Sequence, residues 1–485
     1  MDLKTRKVTI LVAHYSWFDM RPWDELTLSV PLLTRILKPI VDLSLIDANA
    51  DKLTVEETKE RIEQIKPEVV LITALSAEYH KAYHVLAKIA KEVSKDCVVV
   101  MGGIYPTVLT EDVIKDNNVD YAMIGYAENR LDKLITYILE NRMKEIRDFS
   151  GLAYHTESGE VVNPIDTYIG DVEEMVKPDY SLVDLEKYIN NQDKNVANFP
   201  VSSNRKRNAL MITSYGCPNN CIFCATRTIS GRKTAFRKPE DVLEEIDYLV
   251  EKHCIEMITF EDDSILTDRK RAEAIFQGII DRNYNLELRV GTLAAWHLDE
   301  EIIQLMKKAG FTRVGIAIES GSERVLHQII RKPLKLEIIP PLVKLMRKYD
   351  ILMPADFIIG FPGETWDEIR ETFRFAEEAD LDLCMFHIAT VLPKTDLYHI
   401  AKEQQLLPAD FSFYNDRVNF GFCKANITTD EFTPEELMIL RAYEWDRINF
   451  ATPERKARAC RAMEISEEQL KEHRKKTRKN LGIHF

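Results

Sequence analysis

The chain has 485 residues, 45% of them apolar and 30% charged, which allows about three domains with large cores and excludes a disordered or collagen-like chain. A net charge of -14 argues against a general nucleic-acid binder, which normally presents a basic face. No apolar run approaches the roughly 20 residues needed to span a bilayer.

The opening residues, basic and then apolar, mimic a secretory leader. Val8–Ala13 is too short for that role and reads as a buried first strand, so the chain is expected in the cytoplasm. Val8–Ala13, Leu43–Asp47, Val69–Ala74, Val98–Met101 and Tyr121–Ile124 are short apolar runs alternating with amphipathic helical stretches such as Thr54–Ile65 and Tyr79–Val93. That alternation predicts an α/β domain with a doubly wound parallel sheet over residues 1–145. Its ligand site is expected beyond the carboxyl ends of the strands.

Residues 146–205 break the pattern. A hairpin turning at Ser158-Gly159 is expected, followed by a polar linker with prolines at 164, 178 and 200. Alternation resumes over 206–395, with strands expected at Leu210–Ser214, Met257–Glu261, Leu286–Val290, Val314–Ile318, Phe357–Ile359 and Met385–Val391. Six βα units suit a parallel barrel, partial or full, with its site at the C-terminal strand ends. Residues 396–485 read as a mainly helical region, with Thr433 as an N-cap before Pro434. The basic run Lys471–Lys479 reads as a solvated helix face.

Eight cysteines in a reducing compartment do not suggest a disulfide framework. Cys97, Cys254, Cys384, Cys423 and Cys460 stand alone and read as small buried hydrophobes. Cys217, Cys221 and Cys224 crowd into eight residues after the first strand of the second domain. Three soft thiolates favour zinc or iron–sulfur, and three ligands leave one metal position open.

Cys-x3-Cys-x2-Cys, with Phe223 before the last cysteine, resembles the motif of radical S-adenosylmethionine enzymes. The resemblance implies that the triad holds a 4Fe-4S cluster and that S-adenosylmethionine chelates its fourth iron. One electron then yields methionine and a 5′-deoxyadenosyl radical. Further matches follow in order: Glu261, Asp262 and Asp263 after strand two, Glu319 and Ser320 after strand four, and Gly360 after strand five. With Phe223, these are the positions the resemblance assigns to S-adenosylmethionine. Carboxylates at strand ends can receive an ammonium group or ribose hydroxyls, and glycines admit a flat ring.

The first domain resembles the cobalamin-binding domain of the class B branch of that family. The matching positions are Leu75, Ser76, Gly102, Gly103, Tyr105, Gly125 and Tyr126, and Asp179–Leu182 in the linker also matches. The chain departs from the pattern at Asn49, where many such domains carry a cobalt-binding histidine, and at Lys52, where they carry glycine. The lower cobalt face is therefore expected to lack that histidine. Tyr105 stands where the family often has histidine, and Tyr126 puts a bulky ring where it often has glycine.

His80 and His84 lie four apart on a predicted helix without a third ligand and read as surface or cofactor-edge residues. His14, Tyr15 and Trp17 suit either the corrin edge or an ordinary loop; Trp296-His297 suits either the substrate or the rim. No catalytic acid, base or hydrogen donor stands out.

The resemblance implies a cobalamin-dependent radical methyltransferase acting on an unactivated carbon of a small or lipid-like metabolite. An electron donor such as flavodoxin or ferredoxin would serve it. Class B also contains cyclases and oxidising enzymes, and an enzyme whose first domain has lost cobalamin is the third reading.

Overall fold

A computed structural model describes residues 2–20, 22–166, 168–171, 175–191, 206–414 and 425–480. Pro200 and Cys423 lie outside the described residues.

The first sheet contains β1 (Lys7–Val12), β2 (Asp42–Asp47), β3 (Val69–Ala74), β4 (Val98–Gly103) and β5 (Tyr121–Met123), followed by β6 (Leu152–Thr156) and β7 (Gly159–Val162). Its order is β2-β1-β3-β4-β5-β6-β7. Pairing is parallel through β5; the hairpin β6–β7 then adds antiparallel, Tyr121 opposite Tyr154. The sequence reading set this hairpin with the linker, and here it extends the first sheet. The β3 run is buried throughout, as a strand covered on both faces must be. Thr54 starts the helix Val55–Ile65 through a capping box with Glu57.

The segment that follows joins the two modules. The Tyr188 hydroxyl donates to Asp47 of the first sheet, and the Tyr180 hydroxyl donates to Glu245 of the barrel.

The barrel begins at β8 (Asn208–Met211), with a two-residue pair β9 (Ser214–Tyr215) and β10 (Ala235–Phe236) beside it. β11 (Met257–Phe260), β12 (Glu287–Leu293), β13 (Phe311–Glu319), β14 (Pro354–Ile359) and β15 (Leu383–Ile388) complete a six-stranded parallel sheet in the order β15-β14-β13-β12-β11-β8. The protein is thus α/β, with a doubly wound sheet and a partial (β/α)6 barrel. The expected strand Leu210–Ser214 is interrupted because the Thr213 N–H donates to Asp262 at 3.1 Å. That bond turns the chain out of the sheet.

The helices Pro434–Asn449, Pro453–Met463 and Glu467–Asn480 form the C-terminal region. Thr433 caps the first of them, in a capping box with Glu436. The Asn449 amide donates to the Cys384 carbonyl at 2.8 Å and its oxygen accepts the Cys384 N–H at 2.7 Å. One side chain thus satisfies part of the β15 edge that would otherwise invite another strand. Among the described residues no helix is long and apolar enough to cross a membrane.

Candidate cofactor site

The carboxyl ends of both sheets line one cavity of about 970 Å3. The first sheet contributes Leu71–Leu75, Gly102, Gly103 and Gly125; the barrel contributes Leu210, Tyr215, Phe223–Thr226, Glu261 and Asp263. Residues of the segment Trp23–Ile36 form a third wall.

Gly216 (φ +88°) turns the chain from β9 into the cysteine loop, where a Cβ would stand 2.6 Å from the Lys233 carbonyl. Ile222 anchors the loop from two sides: its N–H donates to Ile330 at 3.1 Å, and its carbonyl accepts from Leu397 at 2.9 Å. Cys217, Cys221 and Cys224 are each half-buried. Burial pushes the Cys221 thiol up to about 12 and raises Cys224, so ligand binding at these sulfurs must release protons. Among the described residues no three His, Cys, Asp or Glu side chains gather around one metal-ion position.

Phe223, Glu261 and Asp263 line the cavity. Burial, with Glu25 and Asp262 adding negative charge, pushes the Glu261 carboxyl up to about 7. Asp263 braces the cysteine loop, accepting from the Gly216 N–H at 2.7 Å and the Thr226 hydroxyl at 3.2 Å. Asp262 does not line the cavity. It is buried beneath the loop, accepting from the Thr213 hydroxyl at 2.7 Å and the Ser214 hydroxyl at 2.5 Å.

Glu319, Ser320 and Gly360 also lie outside the cavity lining, at the neighbouring strand ends. Glu319, at φ +74°, pairs with buried Lys332 at 3.1 Å. Ser320 shares a hydrogen bond with Thr372 at 3.1 Å. Gly360 (φ +89°) donates its N–H to Glu364 at 2.6 Å, and a Cβ there would meet Leu437 at 2.6 Å. Its glycine therefore already has a packing reason.

Of the positions expected for cobalamin, Leu75, Gly102, Gly103, Gly125 and Tyr126 line the cavity, and Asn49, Ser76 and Tyr105 do not. Asn49 is buried and holds the loop after β1, donating to the Trp23 carbonyl at 2.6 Å and accepting from the Tyr15 N–H at 3.3 Å. Ser76 caps the turn Ala77–Tyr79, accepting from Glu78. Tyr105 points into a separate network, its hydroxyl 3.0 Å from His84 and 3.3 Å from Tyr414. Tyr126 lines the cavity with its ring 4.7 Å from that of Tyr215, so the two form a wall between the modules. Glycine backbone and aliphatic walls fit a broad, flat ligand.

The residues left open by the sequence fall mostly into structural roles. His84 also meets Asp116 at 2.6 Å, and His80 packs on Tyr414. Trp17 donates to the Leu53 carbonyl at 2.9 Å, His14 lies 3.3 Å from the same carbonyl, and Tyr15 bonds Thr27. Trp296 lies against Lys332. Cys97, Cys384 and Cys460 are buried as expected, whereas Cys254 is exposed because it ends a helix in the left-handed conformation. Sequence reasoning missed Glu25, Tyr215 and Lys332, and it placed Glu128 in the matching loop Gly125–Glu128 without giving it a role. Glu128 is the notable one: one carboxylate oxygen has no partner among the described residues, and burial pushes its carboxyl up to about 7. It follows Gly125-Tyr126-Ala127 directly, a loop already in view in the sequence.

Residues 211–376 match the radical SAM superfamily, and residues 24–135 match the B12 binding domain. An uncharacterized methyltransferase of Pyrococcus horikoshii is 31% identical, the match covering 78% of this chain and 79% of the relative. An anaerobic magnesium-protoporphyrin IX monomethyl ester cyclase of Rubrivivax gelatinosus is 28% identical over 82% of this chain and 67% of its own length. In fold the chain is similar to the cobalamin-dependent radical enzyme OxsB, at TM-score 0.73 and 17% identity, covering 98% of this chain and 72% of that one. TsrM from Kitasatospora setae gives TM-score 0.69 at 19% identity, covering 82% and 78%.

The chain belongs to the class B radical S-adenosylmethionine family, in which a cobalamin-binding domain precedes a radical barrel. It is an enzyme, and its cofactors are a 4Fe-4S cluster, S-adenosylmethionine and cobalamin.

Proposed function

We propose that this enzyme is a cobalamin-dependent methyltransferase acting on an unactivated carbon of a small or lipid-like metabolite. The observation that carries the reading is the single cavity running from Cys224 on the barrel to Gly102 and Gly103 on the first sheet. Residues 1–145 then carry cobalamin, 206–395 form the radical barrel, 146–205 link them and 396–485 close the barrel edge. The name of the Pyrococcus relative supports methyl transfer, and that of the Rubrivivax relative supports ring closure as the second reading.

When bound, the cluster and S-adenosylmethionine supply a hydrogen-abstracting radical, and cobalamin supplies the methyl group. The chain's own residues bind and orient. Cys217, Cys221 and Cys224 would hold the cluster. Among the described residues, the charged side chains lining the cavity are carboxylates, namely Asp24, Glu25, Glu128, Glu261 and Asp263. That sign suits a sulfonium or ammonium cation. Glu261 is poised to give up its proton when such a cation arrives. Leu32, Leu33, Ile36 and Leu71 add apolar wall that excludes water. A small flavodoxin- or ferredoxin-like carrier supplies the electron, and the reducing cytoplasm suits the free thiols.

Anaerobic turnover tests the reading. S-adenosylhomocysteine should accumulate beside 5′-deoxyadenosine. 5′-Deoxyadenosine with no S-adenosylhomocysteine overturns methyl transfer and favours ring closure.

A further inference from the structure

Two further cavities adjoin the cysteine loop and share no lining residue with the cofactor cavity. One, of about 180 Å3, is lined by Cys217–Asn220, Arg227 and Arg232. The other, of about 350 Å3, shares Arg227 and Arg232 and adds Lys233, Gly231, Tyr168 and Asp171. The joint rim therefore carries three cations and, among its described residues, one carboxylate. Lys233 meets that carboxylate, Asp171, at 2.5 Å. This sign is opposite to that of the chain, which has 79 acidic against 65 basic residues.

The rim is also held in place. Gly231, at φ +79°, lies so close to Tyr168 that a Cβ would stand 2.7 Å from its ring. A Cβ on Gly170 would stand 2.5 Å from that of Lys233. Arg227 donates to Asn220, which ties one cation to the loop between Cys217 and Cys221. Arg232 and Lys233 are exposed.

We propose that this rim is the docking surface for an acidic one-electron carrier protein, with Cys217 the cluster ligand nearest the partner. The proposal rests on the reading of Cys217 as a ligand. An acidic partner is repelled by the chain as a whole, so a small basic rim decides where it lands. The carrier loses one electron and the cluster gains it, with no bond made or broken. Such contacts are small and transient, and steering charge acts mainly on the association rate.

The test uses the full chain with its cluster assembled, without substrate, and follows cluster bleaching by stopped flow. Reductants are a flavodoxin hydroquinone and reduced methyl viologen, a small cation that needs no docking. The double variant Arg232→Glu with Lys233→Glu should be reduced by flavodoxin at least about tenfold more slowly at low salt, with a flattened salt dependence. Its reduction by methyl viologen should stay within about twofold of the parent, and Lys471→Glu should leave both rates alone. If the double variant fails to hold a cluster, Arg232→Gln with Lys233→Gln should slow flavodoxin in the same direction by less. An unchanged flavodoxin rate, or an equal slowing with both reductants, overturns the proposal. A short RNA retained by the parent and lost by the variant, with unchanged reduction, also overturns it and assigns the rim to nucleic acid. None of these outcomes depends on whether methyl transfer or ring closure follows. Failure of the ligand reading shows separately, as a cluster that survives Cys217→Ala.

Discussion

Gly103 on β4 lies against the Ala74 carbonyl on β3, where a Cβ on the glycine would stand 2.5 Å from the oxygen. Gly103 also holds φ +114°, a conformation that side chains resist. Gly102 differs, since its nearest neighbour on that side is Met123 Cβ at 3.9 Å. Gly103→Ala should cost about 1–3 kcal/mol and lose bound hydroxocobalamin on desalting. Gly102→Ala should leave the thermal midpoint nearly unchanged while still weakening corrin retention. Equal midpoints for the two variants would contradict this account.

Single replacement of Cys217, Cys221 or Cys224 by Ala should prevent assembly of the cluster, read as lost brown absorbance and lost iron. Replacement of buried Cys384 should leave both intact. A full cluster spectrum in any triad variant refutes the assignment.

Glu319 and Lys332 form a buried pair, with side-chain exposures of 7% and 6%. Removing one member strands the other charge. Glu319→Ala should therefore destabilise the fold by about 3–5 kcal/mol in urea unfolding. Glu319→Leu combined with Lys332→Met should recover most of that loss. If the double variant is no more stable than Glu319→Ala, the pair is not the source of the cost.

Glu364 accepts from the Gly360 and Phe361 N–H groups while its other oxygen has no partner among the described residues. Burial pushes its carboxyl up to about 8, against 4.5 for an ordinary glutamate. The folded chain thus keeps a proton that the unfolded chain gives up. This contribution is full below pH 4.5 and is lost as pH rises through 8. Each pKa unit is worth about 1.4 kcal/mol, so the parent should lose on the order of a few kcal/mol across that window. Glu364→Gln should flatten the decline. Parallel pH profiles for parent and variant would rule Glu364 out as the cause; Glu128 and Glu261, both raised to about 7, act in the same direction.

The strands and the cysteine loop were readable because their information is local. Val69–Ala74 is a buried strand by composition alone, and the triad occupies eight residues. Contacts between distant residues were not readable. Asn49 is turned away from the cavity by the Trp23 carbonyl, 26 residues earlier, and Tyr105 by Tyr414, 309 residues later. Glu319 looked like a free strand-end carboxylate because nothing local announces that Lys332 is folded under it. The packing of Tyr126 was not readable either, because its partner Tyr215 belongs to the other module.

Lys394 donates to the Thr107 carbonyl at 2.9 Å and lies 3.2 Å from the Thr110 hydroxyl, bridging 287 residues from barrel to first sheet. At ribosomal speeds of about 5–20 residues per second, that separation is roughly 15–60 s of synthesis. Until the barrel closes, the nascent first sheet presents Gly102 and Gly103 without the wall that Leu210, Tyr215 and Glu261 supply. A corrin met then has half a binding site, so secure loading belongs to the finished chain.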